Sequence, residues 1–186
     1  MKLGCVNLLF RGLRRSPRIA SGFSFVELMV VVALLGIVLM IALPNLTEYQ
    51  SNQRTYSMAT LMKASLAQAR STAVSRHVRV TVCPSVNGSA CTTGWGNGWI
   101  VFTDGGTQGV VDGTDVVLRA VNAATGVGIT AASNYTNYVS YLSTGRTVGS
   151  GGTNSGGGFN FCGSGSADRG LVISSTGYVS SGVPSC

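Results

Sequence analysis

The sequence predicts an α+β fold in which one long N-terminal helix precedes and packs on a β-rich domain. An apolar run with a single charge extends from Phe23 to Leu43, and its length is that of a helix rather than a strand. Apolar residues then recur every three or four positions to about Ser75, the spacing of a helix with one buried face. Beyond that point, alternating segments and a high glycine content, 26 of 186 residues, indicate short strands joined by many turns.

The apolar run is long enough to cross a bilayer. As an α-helix at roughly 1.5 Å per residue it would measure about 31 Å, close to the hydrocarbon thickness of a membrane. Basic residues flank it on one side only, since Lys2 and four arginines precede Gly22. This asymmetry favours a membrane span over a buried core helix, with the N-terminus in the cytoplasm and the chain after Pro44 exported.

Glu27 is the only charged residue inside the run. An unpaired charge is strongly unfavourable in hydrocarbon, so an ionisable residue there indicates a function. If the chain were cut after Gly22, Phe23 would carry a free ammonium group one helical turn from Glu27, and an acid in the first turn also suits the helix dipole. The alternative, a glutamate that reaches the lipid headgroups, accounts for its tolerance there but not for its presence.

The segment from Gly22 to Glu27, followed by the apolar run, resembles the prepilin cleavage and N-methylation motif of type IV pilins and type II secretion pseudopilins. The resemblance implies cleavage after Gly22 by a prepilin peptidase and N-methylation of Phe23. It also implies that Glu27 pairs with the N-terminal amine of a neighbouring subunit during assembly. Pro44 falls where pilin helices commonly kink.

Four segments follow from these patterns. Residues 1–22 are predicted to be a leader peptide, 23–43 the membrane-spanning and assembly half of the helix, 44–76 its amphipathic half, and 77–186 the globular β-rich domain. A general secretory signal is the alternative for the leader, but no A-x-A cleavage site follows the long apolar run.

The amphipathic half of the helix presents one apolar stripe. Its members are Tyr56, Ala59, Met62, Leu66, Ala69 and Ala73. Because the stripe is short and rich in alanine, docking on the chain's own domain is favoured over a coiled-coil seam. Strands are predicted at 78–83, 99–103, 116–121, 126–129, 138–142, 158–162, 171–174 and 178–179. The first should be half buried, because valine alternates in it with polar residues.

Cys5 lies in the predicted leader, which leaves an even number of cysteines in an exported, oxidising compartment: Cys83, Cys91, Cys162 and Cys186. Four cysteines allow three pairings. Local closure has the lower entropic cost, which favours Cys83 with Cys91 and Cys162 with Cys186. A zinc site is the alternative, but C-x-x-C spacing and a second histidine are absent from the sequence.

The middle of the chain extends the resemblance. It resembles the GspH/FimT (FimU-like) type of minor pilin or pseudopilin domain in Cys83-Pro84, the Cys91 loop, the segment from Trp95 to Asp104, the turn at 112–115 and Val117-Leu118-Arg119. The similarity covers nearly all of the chain from Gly22 onward. It implies a pilin-like α+β fold, with the long helix packed against antiparallel sheets.

No catalytic set is visible, so the chain is not expected to be an enzyme, and no cofactor or metal is predicted. His77, the only histidine, is expected to be solvated at the helix–strand junction, because no nucleophile pattern accompanies it. Asp104, Asp112 and Asp115 lie in a glycine-rich loop and offer oxygens to Ca²⁺. The EF-hand spacing is absent, so turn formation is the favoured interpretation.

Nucleic-acid binding is a further hypothesis. Some FimT-like minor pilins take up DNA through a C-terminal Gly-Arg-x-Arg motif, but the corresponding stretch here, Gly177-Tyr178-Val179-Ser180, lacks both arginines. The candidate phosphate contacts are Arg119, Arg146 and Arg169, which would have to converge in the fold. The formal charge of +7 adds little, because after Gly22 eight basic residues remain against six acids.

These observations predict a minor type IV pilin that functions in pilus assembly. The alternatives are a pseudopilin of a type II secretion system and a DNA-binding minor pilin for DNA uptake. The expected partners are other major and minor pilin subunits, the prepilin peptidase and the inner-membrane assembly platform. The expected location is the inner membrane, as a single-pass protein with a periplasmic domain, and then the filament.

Overall fold

The fold is seen in a computed structural model that describes residues 22–122, 124–152, 156–163 and 168–186, leaving aside the side chains of 41–45. One long helix, α1, is followed in the described part of the chain by nine strands. Their bounds are α1 Phe25–Arg76, β1 Val80–Pro84, β2 Gly98–Thr103, β3 Val117–Asn122, β4 Val127–Ala131, β5 Val139–Tyr141, β6 Thr147–Gly149, β7 Gly157–Gly163, β8 Arg169–Ile173 and β9 Val179–Gly182. Short 3-10 helical turns occur at Trp95–Asn97 and Ser133–Tyr135.

The strands form two sheets. The first has the order β3-β2-β1-β5-β6 and the second the order β4-β7-β8-β9. Every pairing in both sheets is antiparallel. Side chains of α1 and of both sheets belong to one hydrophobic core, so the predicted architecture, a long helix packed on antiparallel sheets, is confirmed.

The second half of α1 buries the predicted stripe with one exception. Met62, Leu66, Ala69 and Ala73 are fully buried and Ala59 nearly so. The exception is Tyr56, which is 53% exposed, so its assignment to the buried stripe was wrong. Its ring instead lies beneath the guanidinium of Arg169, whose Cζ is 5.7 Å from the ring centroid. A cation above the ring is a stable arrangement that needs no burial of the tyrosine.

Two buried tryptophans link separate elements of the fold, and one of them bonds the first sheet to the helix. The indole nitrogen of Trp99 donates to the hydroxyl of Ser65 on α1 at 3.0 Å, and Ser65 donates onward to the carbonyl of Leu61 at 2.9 Å. The indole nitrogen of Trp95 donates to the carbonyl of Tyr135 at 2.9 Å. Both indoles are buried, and each has the hydrogen-bond partner that a buried tryptophan needs.

Strand β1 is buried along its whole length, so the prediction of a half-buried strand was wrong. Val80 and Val82 face the main core, whereas Cys83 belongs to a second apolar cluster with Ile100 and Phe102. Val111 and Tyr138 pack against this second cluster. Strand β1 is central in its sheet, and the segment that follows β2 packs on the face of β1 that points away from the main core. The alternation of residues within β1 does not indicate that a distant segment will bury this second face.

Strand β6 was not predicted from the sequence. It is three residues long and is defined by its pairing with β5, in which Tyr141 lies opposite Thr147 and Val139 opposite Gly149. A strand this short carries no readable periodicity. The remaining eight strands were predicted, and their observed ends differ from the predicted ones by at most three residues.

The chain divides into two units, Met1–Ile41 and Ala42–Cys186. Within the described part of the first unit, residues 22–40 are all exposed, including Phe25, Leu34 and Ile37. No helical stretch among the described residues meets the combined length and hydropathy expected of a membrane span.

Tyr135 and Tyr141 are both buried in the core, and they differ in one respect that can be tested. The hydroxyl of Tyr135 donates to Thr147 Oγ1 at 3.2 Å, whereas that of Tyr141 has no hydrogen-bond partner among the described atoms. Burial raises the pKa of each phenol above its ordinary value. Folding is favoured when a phenol has a higher pKa in the folded chain than in the unfolded one. This contribution to stability is complete at pH values below the pKa of the unfolded chain, about 10, and declines as the pH rises above it.

We therefore expect Tyr141→Phe to leave stability at pH 7 unchanged or to raise it by up to about 1 kcal/mol, since it removes an unpaired buried hydroxyl. Tyr135→Phe, the matched control, should lower stability by about 1 kcal/mol. Above pH 10 the unmodified chain should lose stability faster than Tyr141→Phe. Guanidinium unfolding at pH 7 and at pH 10.5 measures both effects, and a larger loss for Tyr141→Phe at pH 7 would contradict the assignment.

Candidate functional site

The N-terminal motif lies at the beginning of α1. Phe23 is 82% exposed and precedes the helix, which begins at Phe25 with the backbone N–H of Leu28 bonded to the carbonyl of Ser24 at 3.1 Å. Glu27 is the acidic residue of the first helical turn, where it suits the positive end of the helix dipole. Its carboxylate forms no salt bridge with the part of the chain that the structure describes.

The apolar residues that follow the motif are exposed in the part of the chain that the structure describes. Large side chains from Val26 to Met40 are each about half exposed or more. A continuous apolar surface of this size marks a site that binds lipid or protein. Pro44, where a kink was expected, falls in segment 41–45, outside the described side chains, as do residues 1–21 of the predicted leader.

The three aspartates of the glycine-rich loop are engaged in hydrogen bonds within the chain. Asp112 accepts from the N–H of Thr107 at 3.0 Å, and Asp115 accepts from Gly105 N at 2.8 Å and from Asp112 N at 3.1 Å. These are the bonds of turn-forming aspartates. Asp104 differs, because it is buried at 2% exposure and carries an ion pair.

Asp104 fastens the loop to strand β1. One carboxylate oxygen accepts from Arg79 Nη2 at 2.7 Å, and the other accepts from Thr81 Oγ1 at 2.5 Å and from Gly109 N at 2.9 Å. The hydroxyls of Thr81 and Ser140 are 2.6 Å apart. Since the single proton of Thr81 goes to the carboxylate, Ser140 is the donor in that contact. Both oxygens of the buried carboxylate thus accept hydrogen bonds from the protein.

Four cysteines after the N-terminal motif form two disulfides, Cys83–Cys91 and Cys162–Cys186, the pairs that local closure favours. The second one holds the C-terminal tail on the outer face of the second sheet, where Ser185 N donates to Asn160 Oδ1 at 3.2 Å. Asp168 lies beside Cys162 and Cys186 in a group with the spacing of metal ligands. The two sulfurs are bonded to each other, so neither can serve as a thiolate ligand.

The candidate nucleic-acid contacts lie apart from one another. Arg119 is on β3, at one edge of the first sheet, and Arg146 is in the turn between β5 and β6 at the other edge. Three strand spacings separate β3 from β5, or about 14 Å. Arg169 is on β8 in the second sheet, over the ring of Tyr56.

His77 is exposed, with a φ of 55° at the residue after α1.

Arg70 is the contact residue that sequence reasoning missed. From α1 it donates through Nε to the carbonyl of Gly145 at 3.3 Å and through Nη2 to that of Thr176 at 3.2 Å. It thereby joins the turn of each sheet to the helix. Gly177 fits between these groups because its φ is +82° and a Cβ there would lie 2.1 Å from the carbonyl oxygen of Gly145. In the sequence, Arg70 shows only as a polar residue between apolar positions.

Comparisons with known proteins agree with this architecture. The family model for the type II transport protein GspH matches residues 59–177, and the model for the prokaryotic N-terminal methylation motif matches residues 17–43. No curated protein matches.

Two crystal structures of the type IV minor pilin FimU from Pseudomonas aeruginosa strain PAO1 share the fold. The structure in space group P65 is 21% identical, with a TM-score of 0.52, over 69% of this chain and 92% of that one. The structure in space group P21 is 19% identical, with a TM-score of 0.55, over 73% of this chain and 92% of that one.

Proposed function

The chain belongs to the family of the type II transport protein GspH and carries the prokaryotic N-terminal methylation motif, and on that basis we propose that it is a minor type IV pilin, a filament subunit that functions in pilus assembly. The observation that carries the proposal is the order of the two matches, with the motif at 17–43 directly ahead of the domain at 59–177. The uncovered apolar surface of α1 supports it, because a filament of packed helices would bury that surface.

In this proposal each segment of the chain has one task. The leader, residues 1–22, is removed by a prepilin peptidase, and the new terminus at Phe23 is methylated. Residues 23–43 anchor the subunit in the inner membrane with the N-terminus in the cytoplasm, and later pack among other pilins in the filament. Residues 44–76 carry the domain, 77–186, which lies in the periplasm before assembly. The partners are other pilins, the peptidase and the inner-membrane assembly platform.

Glu27 acts in assembly by pairing with the amine of a neighbouring subunit. It forms no salt bridge among the described residues of its own chain and lies where its surroundings would be apolar. Two lone charges in such surroundings are unfavourable, and each removes the penalty of the other when they meet. The pair would therefore fix the axial register of the incoming subunit.

Replacing Glu27 with alanine is expected to leave cleavage intact and to reduce incorporation into filaments at least about tenfold, because the neighbour's amine is left unpaired in an apolar setting. Glu48→Ala, on the same helix beyond the apolar run, is the matched control and should incorporate normally. Mass spectrometry of cell envelopes and of sheared filaments measures both steps. Normal amounts of Glu27→Ala in sheared filaments would contradict the role.

A bulky residue in place of Gly22 should prevent cleavage and leave the chain at precursor size.

A pseudopilin of a type II secretion system is the second candidate, and the description of the matching family favours it. The two functions differ in where the processed chain accumulates, in surface pili or in a periplasmic filament of a secretion system. DNA uptake is a third candidate, but the separation of Arg119, Arg146 and Arg169 in the fold gives it less support. Recovery of the chain from sheared surface pili would show that it is a pilus subunit rather than a pseudopilin of a secretion system.

A further inference from the structure

An open groove runs between the exposed flank of α1 and the hairpin formed by β8 and β9. One part is lined by Lys63, Ala67 and Val74 of the helix and by residues 177–179 of the hairpin. The next part is lined by helix residues between 56 and 63, by Ser181 and Gly182 at the end of β9, and by Pro184 beyond it. Lys63 lines both parts, so the groove follows the helix for roughly five turns.

One wall of the groove is the free edge of a sheet. Strand β9 is the last of its sheet and, among the described residues, pairs with β8 alone. The N–H of Ser174 bonds to the carbonyl of Tyr178, which makes these two a hydrogen-bonded pair. Since such pairs alternate along an antiparallel ladder, Ser180 turns its backbone groups toward β8, and Val179 and Ser181 turn theirs outward.

This edge carries few of the devices by which sheets usually prevent pairing with another chain. Strand β9 reads Val-Ser-Ser-Gly, without a charge, a proline or a bulge, although it is only four residues long and Pro184 follows it after Val183. Exposed edges in soluble proteins generally carry one of these. An unprotected edge beside a groove is the arrangement that β-strand addition requires, in which main-chain hydrogen bonds hold an extended segment.

The other wall supplies positive charge and small apolar side chains. Lys63 and Arg169 are exposed along the groove, and Arg70 bonds only to carbonyl oxygens, so its charge has no carboxylate partner among the described residues. Ala67 is exposed and Val74 is 44% exposed on the same flank. Asp168 is the one acid among the lining residues.

We propose that this groove binds an extended acidic segment of a partner protein, which adds to β9 as a further strand. Its backbone bonds the outward groups of Val179 and Ser181. Its side chains toward the helix pack on Ala67 and Val74, and its carboxylates lie near the cations. A nucleic-acid strand fits less well, because its sugar–phosphate backbone has no regular N–H donors for the outward carbonyls. The inference does not depend on the filament role.

The test uses the full chain in detergent and a ten-residue synthetic peptide of alternating valine and glutamate. We expect this peptide to bind and to slow amide exchange at Val179 and Ser181, whereas Ser180 is already bonded to β8. A valine–lysine peptide of the same length should not bind. The proposal is overturned if the glutamate peptide fails to bind, if it protects amides elsewhere, or if a single-stranded oligothymidine binds more tightly than the peptide.

Single substitutions test the contribution of each wall of the groove to peptide binding. Lys63→Gln should weaken the glutamate peptide about threefold at low salt, in the range of one exposed ion pair. Arg119→Gln, which removes the same charge from the edge of the other sheet, should leave its affinity unchanged. Ser181→Pro removes an outward N–H at an edge position that tolerates proline and should weaken binding about tenfold, with near-ultraviolet circular dichroism confirming the fold. Equal weakening by Lys63→Gln and Arg119→Gln would refute the proposal.

Discussion

Replacing Asp104 with alanine is expected to lower the free energy of unfolding by about 3 to 5 kcal/mol, because it leaves a partly buried cation without its counter-charge. The side chain of Arg79 is 25% exposed. Its Nη2 would lose the bond to Asp104 and keep the one to the carbonyl of Gly106 at 2.9 Å. The N–H of Gly109 and the hydroxyl of Thr81 would lose their acceptor as well. The glycine-rich loop would then separate from β1.

Asp115→Ala is the matched control for this prediction. Asp115 lies in the same loop and accepts two backbone N–H bonds, whereas Asp104 accepts one. Asp115 is only half-buried and forms no salt bridge among the described residues. Its loss should lower the free energy of unfolding by about 1 to 2 kcal/mol. Guanidinium unfolding followed by near-ultraviolet circular dichroism measures both. Equal losses for the two variants would show that the ion pair of Asp104 adds nothing.

Removing the disulfide Cys162–Cys186 by a double alanine substitution is expected to lower the free energy of unfolding by about 3.5 kcal/mol. The estimate is the entropy that a closed loop removes from the unfolded chain, for a sequence separation of 24. The same change at Cys83–Cys91, with a separation of 8, should lower it by about 2.5 kcal/mol. The second pair serves as the control for the loop-length dependence.

The C-terminal disulfide has a further local effect that unfolding alone would not report. The tail passes over Gly170, where a Cβ would lie 3.0 Å from Pro184 N. Without the disulfide, only contacts such as that of Ser185 with Asn160 hold it there. Amide exchange at Ser185 should therefore quicken in the Cys162 and Cys186 variant and stay unchanged in the Cys83 and Cys91 variant. A tail that remains protected would indicate that the hydrogen bonds suffice.

Much of the fold can be predicted from the sequence because it follows from local periodicity. The stripe from Ala59 to Ala73 is buried as its spacing predicts. The strands other than β6 also lie where alternation places them. The site is less predictable, since Arg70 joins turns that are 75 and 106 residues away from it, and nothing near Arg70 in the sequence indicates either contact.

The sequence by itself determined the long helix, the β-rich domain and the N-terminal motif from Gly22 to Glu27, because each is a property of neighbouring residues. The tertiary structure decided which surfaces are covered. It buried β1 on both faces, turned Tyr56 outward under Arg169, and left the edge of β9 open beside Lys63. These outcomes depend on which distant segment packs against each surface, and that is set by sheet order and by contacts such as those of Asp104, which no local pattern encodes.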